Sequence, residues 1–112
     1  MNTFHKYNAF VTRVVDGDTI DATVDLGFKI KMDVRFRMIG YDAPETYRPT
    51  SPEEKEAGLL ATAALKTMIE HKEVIIQSDK FGKYRYLGTV FSLDNLELSV
   101  NDKMIRLGHV KP

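Results

Sequence analysis

The sequence has no cysteine. That excludes disulfides and thiolate metal ligands, and with them any redox clue to compartment. It has no long hydrophobic run either. The longest, "GLLATAAL", falls far short of the ~20 apolar residues that a membrane-spanning helix needs. The start, "MNTFHKYNAF", lacks the basic-then-apolar design of a secretory signal. Internal repeats, linkers and low-complexity stretches are missing. Net charge is missing too, since 16 Lys and Arg balance 16 Asp and Glu. A neutral chain argues against a polyanion binder held by bulk charge. The sequence therefore reads as soluble, with no membrane partner. Its location stays open between the cytosol, a phage setting included, and export followed by processing.

What is present fits one domain: 112 residues, 43% of them hydrophobic, enough for one core. The charges are neutral in sum but not in distribution. Residues 16–25 carry four aspartates and no base, whereas "KIKMDVRFR" at 29–37 carries four bases and one acid. An acidic edge beside a basic strand is compatible with a site for a metal and a phosphate, and equally with ordinary alternation of surface charge.

The first 40 residues read as strands. "NAFVTRVV" and "TIDATVDL" are rich in β-branched residues, and Gly27 in "DLGF" supplies a tight turn. "FKIKMDVRFRMI" alternates, with Phe28, Ile30, Met32, Val34, Phe36 and Met38 on one face and Arg35 and Arg37 on the other. A helix follows: Ser51 caps it, Pro52 fits its first position and Glu54 completes a capping box. Ala57, Leu60, Ala61, Ala64, Leu65 and Met68 form its predicted core stripe, and His71 and Lys72 suit its C-terminal end. "EVIIQ" and "RYLGTVFS" read as two more strands. "SVNDKMIRLG" reads as a short helix capped by Ser99, buried along Val100, Met104 and Leu107, and stopped by Gly108. Five strands with a helix after the third point to a β-rich (α+β) fold, a five-stranded Greek-key OB-fold barrel with a short C-terminal helix. An open α+β sheet is the other arrangement this order allows.

Four carboxylates sit at two chain corners: Asp16 and Asp18 in "DGDT", Asp42 and Glu45 in "YDAPET". Asp16, before Gly17, suits turn chemistry, bonding nearby backbone amides. Asp18 and Asp42 each lie beside a strand end. With no cysteine and no clustered histidine, an all-oxygen site suits a hard cation such as Ca²⁺ or Mg²⁺, and a backbone carbonyl near Pro44 adds a neutral ligand. Pro44 fixes the chain before Glu45, a carboxylate able to orient or deprotonate an attacking water; a solvent-facing glutamate is the alternative. Arg37 offers a fork of donors that fits phosphate oxygens, or else a salt bridge to one of the same aspartates. "DKFGKYR" mixes Lys80, Lys83 and Arg85 with Phe81 and Tyr84, a blend that suits a nucleotide. His5, His71 and His109 lie far apart, and none pairs with a nucleophile at motif spacing.

In order and spacing, "VVDGDTI", "VRFRMIGYDAPET", "DKFGKYRYLGTV" and "LSVNDKMIRLG" together resemble the staphylococcal nuclease (thermonuclease) family, over roughly residues 8–109. The coupling of the first motif to the second carries most of the specificity. The resemblance implies a five-stranded OB barrel with helices and Ca²⁺-dependent cleavage of phosphodiester bonds in DNA and RNA, leaving 3′-phosphates. It implies that Asp18, Asp42 and the carbonyl of Ala43 bind calcium, with Thr19 beside them. It implies that Glu45 handles the attacking water, that Arg37 and Arg85 bind phosphate, and that Lys80 and Phe81 lie near the nucleotide. Lys83 and Tyr84 fall in the same substrate-binding stretch. The sequence departs from the pattern in three ways. The stretch before Arg85 is longer than the family's Asp-Lys-Tyr-Gly-Arg. Many relatives are basic. The sequence stops at "HVKP", where relatives continue with nucleotide-stacking tyrosines and a further helix, so weaker base contacts are expected of this single domain, 1–112. The expected protein is a monomeric nuclease. Its rival is a weak or inactive OB module that only binds nucleic acid or protein.

Overall fold

Strict alternation makes Thr19–Asp25 a strand with Ile20, Ala22 and Val24 buried and its polar residues outward. The same period drives its neighbours. The structure, a computed structural model, describes residues 5–81 and 86–111. These residues form β1 (His5–Asp16), β2 (Thr19–Asp25), β3 (Lys31–Met38), α1 (Pro52–Ile69), β4 (Glu73–Phe81), β5 (Tyr86–Ser92) and α2 (Val100–Arg106). The strands close into a barrel in the order β1-β2-β3-β5-β4, with β4 returning to β1. All pairings are antiparallel except β3 with β5. This is the five-stranded OB-type barrel expected, with a helix after the third strand.

Closure depends on β1, which serves both β4 and β2 and bends between them at register shifts near Val11–Arg13 and Val14–Asp16. Glu70, the C-cap of α1, accepts a hydrogen bond from the Val14 amide at 2.9 Å within this bend. Val11, Ile20, Met38, Leu65, Ile76 and Met104 are among the fully buried side chains, so both helices contribute to the barrel's core.

Three expectations need correction. Phe28 and Ile30 are not strand residues facing a core. They lie in the β2–β3 turn, where Gly27, Phe28 and Lys29 all have left-handed φ, and Phe28 is 97% exposed. Second, Leu60 is exposed. The buried stripe of α1 is Glu54, Gly58, Ala61, Leu65 and Ile69, because small residues let the helix approach the loops beneath it. Third, Leu107 is exposed, and Asn101 is buried beside Val100 and Met104 in its place. The Ser51 and Ser99 caps hold, each accepting the amide three residues on.

Candidate active site at the β1–β2 and β3–α1 corners

The site begins with a turn. The Asp18 amide donates to Asp16 Oδ1 at 3.1 Å, which gives Asp16 the turn role its place before Gly17 implies. Asp18 then closes onto the end of β3. Its carbonyl accepts the Met38 amide at 2.8 Å, and Thr19 pairs with Arg37 across the ladder. This pairing sets Asp18 beside Arg37 although 18 intervening residues separate them in sequence.

The Asp18 carboxylate is buried and fully engaged. Oδ2 accepts the Ala43 amide at 2.9 Å and lies 3.1 Å from Arg37 Nη2; Oδ1 accepts the Thr19 hydroxyl at 3.1 Å. Burial, with the neighbouring Asp16 carboxylate adding to it, pushes its pKa up to about 6, against the lowering pull of the Ala43 amide and Arg37. Arg37 also ion-pairs with the largely exposed Asp42 carboxylate and reaches the Tyr41 carbonyl at 3.4 Å. Tyr41 itself was not singled out by the sequence. Its hydroxyl donates to the Gly17 carbonyl at 2.7 Å, tying the two corners together, and burial raises its pKa.

A polar cavity of about 210 Å³ opens between the corners, lined by Asp16, Asp18, Thr19, Arg37, Ala43, Pro44 and Glu45. On the other side of Arg37 a more open depression includes Asp42 and Leu87. Arg37 therefore lines both hollows, its guanidinium held between Asp18 and Asp42. Of the residues predicted for the site, Asp18, Arg37, Asp42, Ala43 and Glu45 come together here. The side chains of Lys80 and Phe81, and all of Lys83, Tyr84 and Arg85, lie outside the described residues.

Two further contacts fix the loop between β3 and α1. The Lys111 amide donates to the Asp42 carbonyl at 2.6 Å, bringing the segment after α2 onto the site. Asn101 ties β3 to β5, donating to the carbonyls of Ile39 and Gly88 at 2.9 and 3.2 Å and accepting the Val90 amide at 2.9 Å. An asparagine inside an apolar stripe was the available signal for this staple.

The donor set fits a hard cation in kind. Every candidate ligand is an oxygen, and Asp18 is a buried carboxylate on the lining of a polar cavity. Among the described residues no three acidic or histidine side chains converge on one point, so any such ion would be held by few charges.

Residues 35–111 match the family model described as staphylococcal nuclease homologue. Protein ParB of Escherichia coli is 37% identical over 90 residues, which is 80% of this chain and 43% of that protein. A thermonuclease of Staphylococcus hyicus is 35% identical over 98 residues, 88% of this chain and 54% of its own. A thermonuclease of Staphylococcus intermedius is 36% identical over 76 residues, 68% of this chain and 42% of its own. The chain spans about half the length of these curated relatives.

Proposed function

The chain belongs to the staphylococcal nuclease family, and from that premise we propose that it hydrolyses phosphodiester bonds of DNA or RNA. One observation carries the reading. Asp18, Arg37 and Glu45, from three separate parts of the chain, line one polar cavity, with Asp42 ion-paired to Arg37 at its wall. A surface of ordinary alternating charge has no cause to converge in this way.

The proposed roles follow from the chemistry of each group. Asp18, Asp42 and the Ala43 carbonyl would hold Ca²⁺, which when bound neutralises charge on a phosphate oxygen. Arg37 grips the phosphoryl oxygens and matches the charge that grows on them, a task that suits a planar fork of donors. To do so it exchanges the exposed Asp42 carboxylate for phosphate, while its contact with buried Asp18 keeps it in register. Glu45 orients the attacking water and accepts its proton. The new P–O bond forms from that water. The bond to the 5′ oxygen breaks with its electron pair, that oxygen takes up a proton, and a 3′-phosphate remains. Arg85 supplies the second phosphate cation, with Lys80, Phe81, Lys83 and Tyr84 along the substrate.

The test is cleavage of single-stranded DNA and of RNA with Ca²⁺, with Mg²⁺ and with chelator. Cation-dependent cleavage lost in Glu45→Gln supports the reading. Binding without cleavage under every cation favours instead a binding module, for which the capture of Arg37 by both aspartates is the structural argument.

A further inference from the structure

We infer that helix α1 is the template that positions Glu45, and that Gly58 and Glu54 are the residues through which it acts. The inference rests on the functional reading above. It starts from an anomaly in the helix. Gly58 is buried in the interior of α1, where alanine would be the better helix former. Space explains the glycine. A Cβ at Gly58 would lie 2.7 Å from the Pro44 carbonyl oxygen, 2.7 Å from Thr46 Cγ2 and 3.0 Å from the Glu45 carbonyl oxygen. The helix backbone thus lies directly against the segment on both sides of Glu45.

One turn earlier, Glu54 secures the far end of the same loop, at Thr50, by hydrogen bonds. Its carboxylate accepts the Thr50 amide at 2.6 Å and the Thr50 hydroxyl at 3.0 Å. These bonds lower its pKa, with the Lys111 charge acting in the same direction. A capping-box glutamate reaches back to the N-cap amide; this one reaches one residue further and so fastens the loop as well as the helix. One turn later, Ala61 meets the first corner. A Cβ at Gly17 would lie 2.7 Å from Ala43 Cβ and 2.8 Å from Ala61 Cβ. Glu54, Gly58 and Ala61 therefore form one stripe at i, i+4 and i+7, the N-terminal part of the buried face of α1, and it packs against the two corners of the site before that face continues into the core at Leu65 and Ile69.

Neither Gly58 nor Glu54 lines the cavity. They are positioning residues, and their effect passes through Glu45. A displacement of about 1 Å in a reacting group can cost on the order of 100-fold in rate.

The experiment is a double-mutant cycle of Gly58→Ala and Glu45→Gln, read as single-turnover cleavage of a short single-stranded DNA at saturating Ca²⁺. Gly58→Ala is expected to slow the wild-type background about 10- to 100-fold with KM changed less than about twofold. In the Glu45→Gln background it should change the rate less than about twofold, because the group it displaces is already disabled. Glu54→Met, which keeps the length of the side chain but removes the acceptor oxygen of both Thr50 bonds, should repeat the pattern and carries the cycle if Gly58→Ala fails to fold. Amide ¹H–¹⁵N spectra supply a readout independent of cleavage. Beyond the turns of α1 around residue 58 itself, shifts in Gly58→Ala should fall in residues 43–50, with the β1–β2 amides unmoved. An equal rate loss in both backgrounds overturns the inference, as does a Gly58→Ala protein whose residue 43–50 amides match the wild type. A wild-type protein that never cleaves defeats the functional reading alone, and the amide shifts then decide whether α1 holds this segment.

Discussion

At Asp18, burial and charge work against each other. Its folded pKa of about 6 lies above the ordinary 3.8, so the folded chain binds this proton more tightly than the unfolded chain does. The stability this group contributes is complete below pH 3.8 and is lost as pH rises through about 6. Asp18→Asn removes the titration. It should melt higher than wild type at pH 8, with the gap narrowing toward pH 4, and it should be inactive; melting curves at both pH values check this. Glu45→Gln keeps shape and removes the base, and its single-turnover rate should fall by about 10²–10⁴-fold with substrate binding retained. Asp18, Arg37, Asp42 and Glu45 were legible as candidates because each stands at a chain corner or strand end within a spaced motif. Gly58 was not legible, because a helical glycine looks the same in sequence whether or not a loop presses against it. Glu54 was half legible: capping accounted for it, and its reach past the cap needed coordinates.

The elements were read more reliably than the faces they bury. The short period of β2 and β3 leaves one inward set, so Ile20, Ala22, Val24, Phe36 and Met38 follow directly from the pattern. In α1, alanine and leucine occupy nearly every side of the helix between residues 57 and 65, so hydrophobicity does not fix its rotation. The close approach of Gly58 and Ala61 fixes it, and Leu60 is left outside. In α2 the equivalent determinant is Asn101. Asn101→Ala strands the Ile39 carbonyl and the Val90 amide, and should cost roughly 3 kcal/mol, seen as a fall in denaturation midpoint without a change in slope. The start of β5 bears on which residue is the proposed second phosphate cation. Arg85 directly precedes Tyr86, and Leu87 of the same strand pairs with Arg37. Strand register is costly to slip, whereas a turn absorbs extra residues cheaply. Arg85→Lys is therefore expected to lose most activity, and Lys83→Ala to weaken binding with a salt slope reduced by about 1. A crippled Lys83→Ala beside a near-normal Arg85→Lys would reverse the assignment.

For the whole molecule, the core owes nothing to a cation: both helices and all five strands pack through apolar side chains. Excess chelator should abolish cleavage and leave the circular dichroism spectrum unchanged. Added Ca²⁺ should raise the melting temperature of wild type, by the equivalent of about 2.7 kcal/mol at 100 times Kd, and should leave Asp18→Asn unmoved. The parallel seam between β3 and β5 has a further consequence. Among the described residues it consists of three pairs, Phe36 with Tyr86, Arg37 with Leu87 and Met38 with Gly88, so it joins positions 50 residues apart. Contacts that span so much chain form late in folding, after the local hairpins. On a ribosome, the β1–β2–β3 meander and the Glu45 loop emerge well before β5 does. The nascent chain then carries every acidic group of the site without the strand that braces Arg37. The Arg37 wall of the cavity is thus braced only when β5 docks, so the site takes its final shape at the end of folding.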